Sequence, residues 1–244
     1  MNVNTGPCGL NNLLESVLSI ALQEQNNVYP PFIFQSQFNV VTSLLISELA
    51  KVYPSNIDIL DPYMKAVVLP VKDGYIQLPD DYRNLLGAPY IFAQNAAKEC
   101  EDIPKITTAQ QFYVATQNGA CQAYPLSIIE QSEFAERTQS KYKPPSFKKP
   151  IGFYAGSKLI KVCPFDLSKV AVLYARNEKK AVYTYTMQPD DTYIFDPTNP
   201  ALQDSEWTNA AYTPIFNAMV SLFSAYTRDN EMQDWSKILQ NGIL

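Results

Sequence analysis

Between about residue 57 and residue 196 the chain is a succession of short apolar runs cut by proline, glycine and asparagine, and this punctuation limits it to strand-sized elements. The runs are KAVVLPV (65–71), GYIQLP (74–79), PYIFAQ (89–94), QFYVAT (111–116) and PLSIIE (125–130). KLIKVCP (158–164), VAVLYAR (170–176), AVYTYTM (181–187) and TYIFD (192–196) follow. Val182, Tyr183, Tyr185 and Met187 suit a half-buried pleated surface. The spacers NEKK and QPDD are each long enough for a hairpin loop, so the last three runs read as an antiparallel meander. One short helix, SEFAERTQS (132–140), is expected to interrupt the region.

On either side the hydrophobic period becomes helical. Residues 12–25 place Leu13, Leu14, Val17, Leu18, Ala21 and Leu22 on one face, with Asn12 as cap and Glu15 completing a capping box. NNVYPPF (26–32) should break that helix, and a second is expected over 36–52 with Phe38, Val41, Leu45, Leu49 and Val52 in register. Residues 204–227 should be mostly helical, with Thr213 capping and Pro214 in a first turn. A last helix is expected over 230–241, capped by Asn230 and stopped by Gly242. Its stripe of Met232, Trp235, Ile238 and Leu239 suits either folding back on its own domain or docking on a neighbouring subunit or the portal. The economical architecture is therefore α+β. A helical bundle from both chain ends (1–56 with 201–244) carries an inserted antiparallel β-rich domain (57–200).

Composition then narrows function. An apolar share of 46% against 18% charged residues is that of a folded chain, and no apolar run approaches the roughly 20 residues of a membrane span. The first residues, MNVNTGPCGLNN, lack the basic and apolar stretches of a secretory signal. Histidine is absent, which excludes Ser-His-Asp and Cys-His hydrolases, His-ligated zinc and imidazole bases. With 8 glycines and neither GxxxxGK[ST] nor GxGxxG, no phosphate-cradling loop is expected. A net charge of −5 lacks the basic balance of a nucleic-acid binder. Cys8, Cys100, Cys121 and Cys163 show no CxxC spacing and read as small buried hydrophobes in a reducing cytosol, with a disulfide or thiolate metal site as the alternative. The chain reads as a structural or binding protein, with no catalytic residues, metal or cofactor.

The acidic pairs Asp80-Asp81, Asp190-Asp191 and Asp58/Asp61 are candidate cation ligands, but each lies beside proline or a turn signal, and turns are the simpler reading. DPTNP (196–200) reads as a rigid connector. The run KYKPPSFKKP (141–150) holds Lys141, Lys143, Lys148 and Lys149, with Arg137 just before it, and so gathers five of the nineteen basic residues. It is a candidate contact with another protein or with DNA phosphate; a solvated extended loop is the simpler reading, although its prolines and aromatics favour an ordered loop that lies against something. Two other classes fit parts of the sequence. Sixteen tyrosines suit a tail-associated module that stacks on host-surface carbohydrate, and an acidic pair such as Asp80 and Glu133 would suit a hydrolase.

Several phrases carry a family resemblance. DGYIQLPDDYRNLLG (73–87) comes first, then SEFAERTQSKYKPPSFKKPI (132–151) with its Phe134, Arg137, Ser140 and prolines. IKVCP (160–164), YIFDP (193–197) and a late helix near Trp207 follow in order. Together these resemble the ring or adaptor proteins of short-tailed bacteriophages, in particular crAss-like phages, over most of residues 60–230. The resemblance implies a non-enzymatic head–tail connector of the virion neck or tail, assembled in the host cytoplasm. Its implied partners are twelve copies of itself, the portal protein and further tail ring proteins, with genomic DNA passing through the lumen unbound and no membrane. It also implies a helical bundle with a β-rich extension and a C-terminal docking segment. A lumen lined by Asp and Glu, with the Lys141–Lys149 loop turned to another protein, would let DNA slide.

Overall fold

The structure is a computed structural model that describes residues 12–13, 16–17, 31–53, 55, 57–95, 98–100, 106–117, 122–189 and 193–227. In chain order its elements begin with helix α1 (Pro31–Lys51), the short helix α2 (Ile57–Leu60) and a 3-10 turn (Asp61–Tyr63). Strands β1 (Met64–Lys72), β2 (Tyr75–Gln77), β3 (Tyr82–Leu85), β4 (Tyr90–Asn95) and β5 (Lys98–Glu99) lead to helix α3 (Ala109–Gln117). Strands β6 (Gln122–Pro125) and β7 (Ser127–Ile128) precede helix α4 (Gln131–Gln139). Strands β8 (Ile151–Gly156), β9 (Leu159–Cys163), β10 (Lys169–Arg176), β11 (Tyr185–Met187) and β12 (Tyr193–Phe195) follow. A 3-10 turn (Asn209–Ala211) then opens helix α5 (Tyr212–Thr227). The chain divides into two compact units: residues 1–49, 56–62 and 178–244 in one, residues 50–55 and 63–177 in the other.

The second unit is built round β10. Its sequence KVAVLYAR has no polar alternation because it is buried on both faces, as a central strand must be. It pairs antiparallel with β1 from Met64↔Ala175 to Pro70↔Lys169, and on its other side with β3 and β4. The sheet path runs β5-β4-β10-β1-β2-β9-β8-β7, with β3 beside β10 and β6 beside β4. Val170, Val172 and Tyr174 pack with Ile76, Ile91 and Ile160 in the main core cluster. Helix α3 packs on β1, β6 and β10, with Phe112 edge-on to Tyr90 at 5.6 Å between ring centroids.

In the first unit α1 is tied to the chain at 181–183 by its side-chain amides. Asn39 donates to the Ala181 carbonyl at 3.1 Å and accepts the Ala181 N–H at 3.0 Å, while Gln35 accepts the Tyr183 N–H at 3.0 Å. Tyr183 then sits between Phe34 and Phe195. Phe34, Phe38, Ile46, Trp207, Ile215 and Met219 are among its buried side chains.

These findings correct the expected fold class. The protein is mainly a ten-stranded mixed sheet that curls into a nearly closed barrel, not a helical bundle from both ends with an inserted antiparallel domain. The sheet is mixed because β7 runs parallel to β8. QFYVAT is the helix α3, not a strand. Thr108 accepts the Gln111 N–H at 3.2 Å, and the Gln111 side chain accepts the Thr107 N–H at 2.9 Å. This reciprocal cap satisfies the donors of a helical first turn and outweighs the β propensity of Phe-Tyr-Val. The expected meander is split, since β10 lies in the large sheet while β11 and β12 pair only with each other. Helix α1 starts at Pro31, where proline costs no helical hydrogen bond, so PPF opens the helix that it was expected to precede. Residues 204–208 are not helical, and Pro214 lies in the first turn of α5 as expected. Residues 12, 13, 16 and 17 are helical, and the rest of the expected 12–25 helix lies outside the described residues.

Candidate functional site

A cleft lies where the end of α4, the loop after it and the start of β7 meet. It has a volume of about 820 Å³. Helix α4 is held down by Phe134, which is buried with its ring 4.8 Å from that of Phe153. The helix stops at Ser140, whose N–H bonds the Arg137 carbonyl at 3.3 Å and whose hydroxyl accepts the Lys143 N–H at 3.3 Å. The chain then returns through a tight turn in which Lys149 N–H donates to the Ser146 carbonyl at 2.9 Å. At the turn's centre Phe147 is 5% exposed and joins the core cluster of the sheet. Buried Pro150 accepts the Ser127 N–H at 3.1 Å, which sets the parallel register of β7 on β8.

This frame presents Arg137, Lys143, Lys148 and Lys149 on the cleft walls, together with Pro144, Pro145 and Tyr142. Tyr142 is 96% exposed. Lys141 is exposed on the same loop without lining the cleft. The expected loop cluster is thus an ordered structure, anchored by one aromatic side chain. Arg137 is paired with Glu133 one turn back, whereas Lys141, Lys143, Lys148 and Lys149 form no ion pair among the described residues.

The other expected sites resolve differently. Asp80 and Asp81 form the turn between β2 and β3. Asp81 pairs with Lys65 and accepts the Tyr174 hydroxyl at 2.9 Å, while Lys158 donates to the Asp80 carbonyl at 2.7 Å. Burial pushes the Asp81 carboxyl up, but the bonds from Lys65 and Tyr174 and the Lys65 charge outweigh it and hold the group below its ordinary value. Asp58 and Asp61 occupy first turns of short helices, where carboxylates favour the exposed N–H groups. In DPTNP, Asp196 accepts both the Thr198 N–H and its hydroxyl, an Asx turn that makes the segment a rigid connector. Glu133 is engaged by Arg137 and Asp80 by Lys158, so each carboxylate of the expected hydrolase pair has its own cation. Among the described residues no three His, Cys, Asp or Glu side chains converge to hold a metal ion. Asp190 and Asp191, and the expected docking stripe of Met232, Trp235, Ile238 and Leu239, lie outside the described residues. Cys163 is a free buried thiol, raised by burial and by the Asp166 charge. Cys100 is buried but disulfide-bonded, which corrects its reading as a simple hydrophobe. Sequence spacing carries no information on such a pairing.

One surface escaped the sequence reading. Along α1, Phe32, Val40 and Leu44 are 58%, 52% and 60% exposed and share a shallow groove of about 490 Å³ with Ser36 and Lys180. Three of these positions repeat every four residues (36, 40, 44), and Phe32 begins the row, so the signal was present as a second apolar stripe. Phe38 and Val41 mark the buried face of the same helix, whose apolar spacing masks this second row. No family model matches this sequence, and no curated protein matches it.

Proposed function

We propose that the chain is a virion structural protein, a non-catalytic subunit of an oligomeric ring that joins portal to tail and continues the DNA channel. The observation that carries this reading is a pair of association surfaces of different chemistry. One is the exposed apolar row Phe32–Val40–Leu44 on α1, the other the basic, proline-framed cleft beside β7. A closed ring needs a heterologous contact in which two unlike patches of each copy meet those of its neighbours. Isolated exposed leucines are ordinary, but an aligned row of large apolar side chains on a long helix favours burial by a partner. The proposal rests on these surfaces and on the segment resemblances, not on the helical-bundle architecture, which the sheet replaces.

Mass photometry of the purified chain, alone and mixed with a portal ring, tests the reading. Assembly near twelve copies is the expected result, together with its loss in Leu44→Asp. A chain that stays monomeric with the portal and binds glycan arrays instead would replace this reading with the carbohydrate-binding module.

A further inference from the structure

We infer that the cleft beside β7 is a receptor for an extended acidic segment of a partner protein. Residues 137–165 contain no Asp or Glu but seven of the chain's nineteen basic residues, in a protein whose net charge is −5. Three of the seven are engaged elsewhere: Arg137 with Glu133, Lys158 with Asp80, and Lys161 over the rings of Tyr75 and Phe165. Lys143, Lys148 and Lys149 remain on the cleft walls, held apart by the Ser146–Lys149 turn and the buried Phe147 beneath them. Their charge is therefore pre-positioned, and a ligand gains it without ordering a loop.

The chemistry of the walls selects a peptide over a nucleic acid. Pro144, Pro145 and Ile151 add apolar contact to side chains lying between carboxylates, and the exposed Tyr142 hydroxyl can donate to a carboxylate. An acidic protein also repels a long polyanion at a distance, whereas a short acidic segment responds to the local patch. Pro125 and Ser127 line the cleft, and β7 is the last strand of the sheet path, so a bound segment lies beside the end of the sheet. The inference rests on the reading of this cleft as an association surface and names its occupant, which peptide binding to the free chain tests apart from assembly.

Fluorescence anisotropy on the full chain tests it with a labelled (Asp-Glu-Tyr)4 peptide, the neutral (Asn-Gln-Tyr)4 peptide, a single-stranded oligonucleotide and a short DNA duplex. The acidic peptide should bind saturably and lose affinity with added salt, and the neutral one should bind at least about tenfold more weakly. Lys148→Glu/Lys149→Glu should weaken the acidic peptide about thirtyfold, since two attractions become two repulsions. Lys72→Glu/Lys169→Glu, exposed and outside the cleft, makes the same change of net charge and should leave binding within about twofold. Should the first variant lose its circular dichroism, Lys143→Glu reads the same cleft from a fully solvated position. No binding of the acidic peptide, equal weakening by both charge reversals, or tighter binding of either DNA would overturn the inference. Loss of peptide binding with intact ring assembly, or the reverse, separates this inference from the ring proposal.

Discussion

Truncating Phe147 to alanine tests whether one side chain orders the basic loop. Phe147 is 5% exposed and belongs to the cluster that also holds Leu126, Ile160 and Val162, while its neighbours Lys148 and Lys149 are exposed. Removing a buried phenyl ring from a core costs about 3–5 kcal/mol through lost transfer energy and the cavity left behind. A loop can relax into part of that cavity, so the lower end, about 3 kcal/mol, applies here. Urea unfolding followed by far-UV circular dichroism should show a lower midpoint at unchanged slope, and the melting temperature should fall by about 8 °C. The same variant should become sensitive to trypsin at Lys141-Tyr142 and Lys148-Lys149, bonds not followed by proline. Tyr142→Ala is the control. Its ring is 96% exposed, and its loss should stay within about 0.5 kcal/mol. A Phe147→Ala protein that keeps its stability to within about 1 kcal/mol and resists trypsin like the parent would refute the anchoring argument.

Gly152→Ala should destabilise by about 2 kcal/mol, because its Cβ would stand 2.9 Å from the Lys161 carbonyl oxygen, a backbone atom held in the β8–β9 ladder; equilibrium unfolding reads this directly. Asp81 has its folded pKa below its ordinary 3.8, so its stabilisation is full above the unfolded value and is lost as pH falls through the folded one. Unfolding from about pH 5 to about pH 3 should therefore show a steeper loss in the parent than in Asp81→Asn. Cys163, a buried thiol raised above its ordinary 9.0, should not react with Ellman's reagent in native buffer at mildly alkaline pH. The parent and Cys163→Ser should then give equal native titrations and differ by one thiol in denaturant.

The local grammar of this chain was legible residue by residue. Alternation and proline placed the strands at 64–72, 75–77, 90–95, 159–163 and 169–176 close to where they are, and the expected short helix at 132–140 is α4. The basic loop was legible as a cluster, whereas its anchoring by the buried Phe147 was not. The signals that were missed were also local: the Thr108–Gln111 cap, which makes QFYVAT a helix, and the second apolar stripe on α1.

Strand partnership was not legible. The run at 169–176 is equally apolar whether it continues a meander toward 185 or inserts between β1 and β4. Its period records only that it is buried, while its neighbours are fixed by which arrangement covers both faces at once. The parallel pairing of β7 with β8 and the curl of the sheet into a barrel follow from that same global requirement. Sequence thus determined where extended and helical segments lie and where charge collects. Tertiary structure decided which segments meet, because burial of a shared core is a property of all of them together.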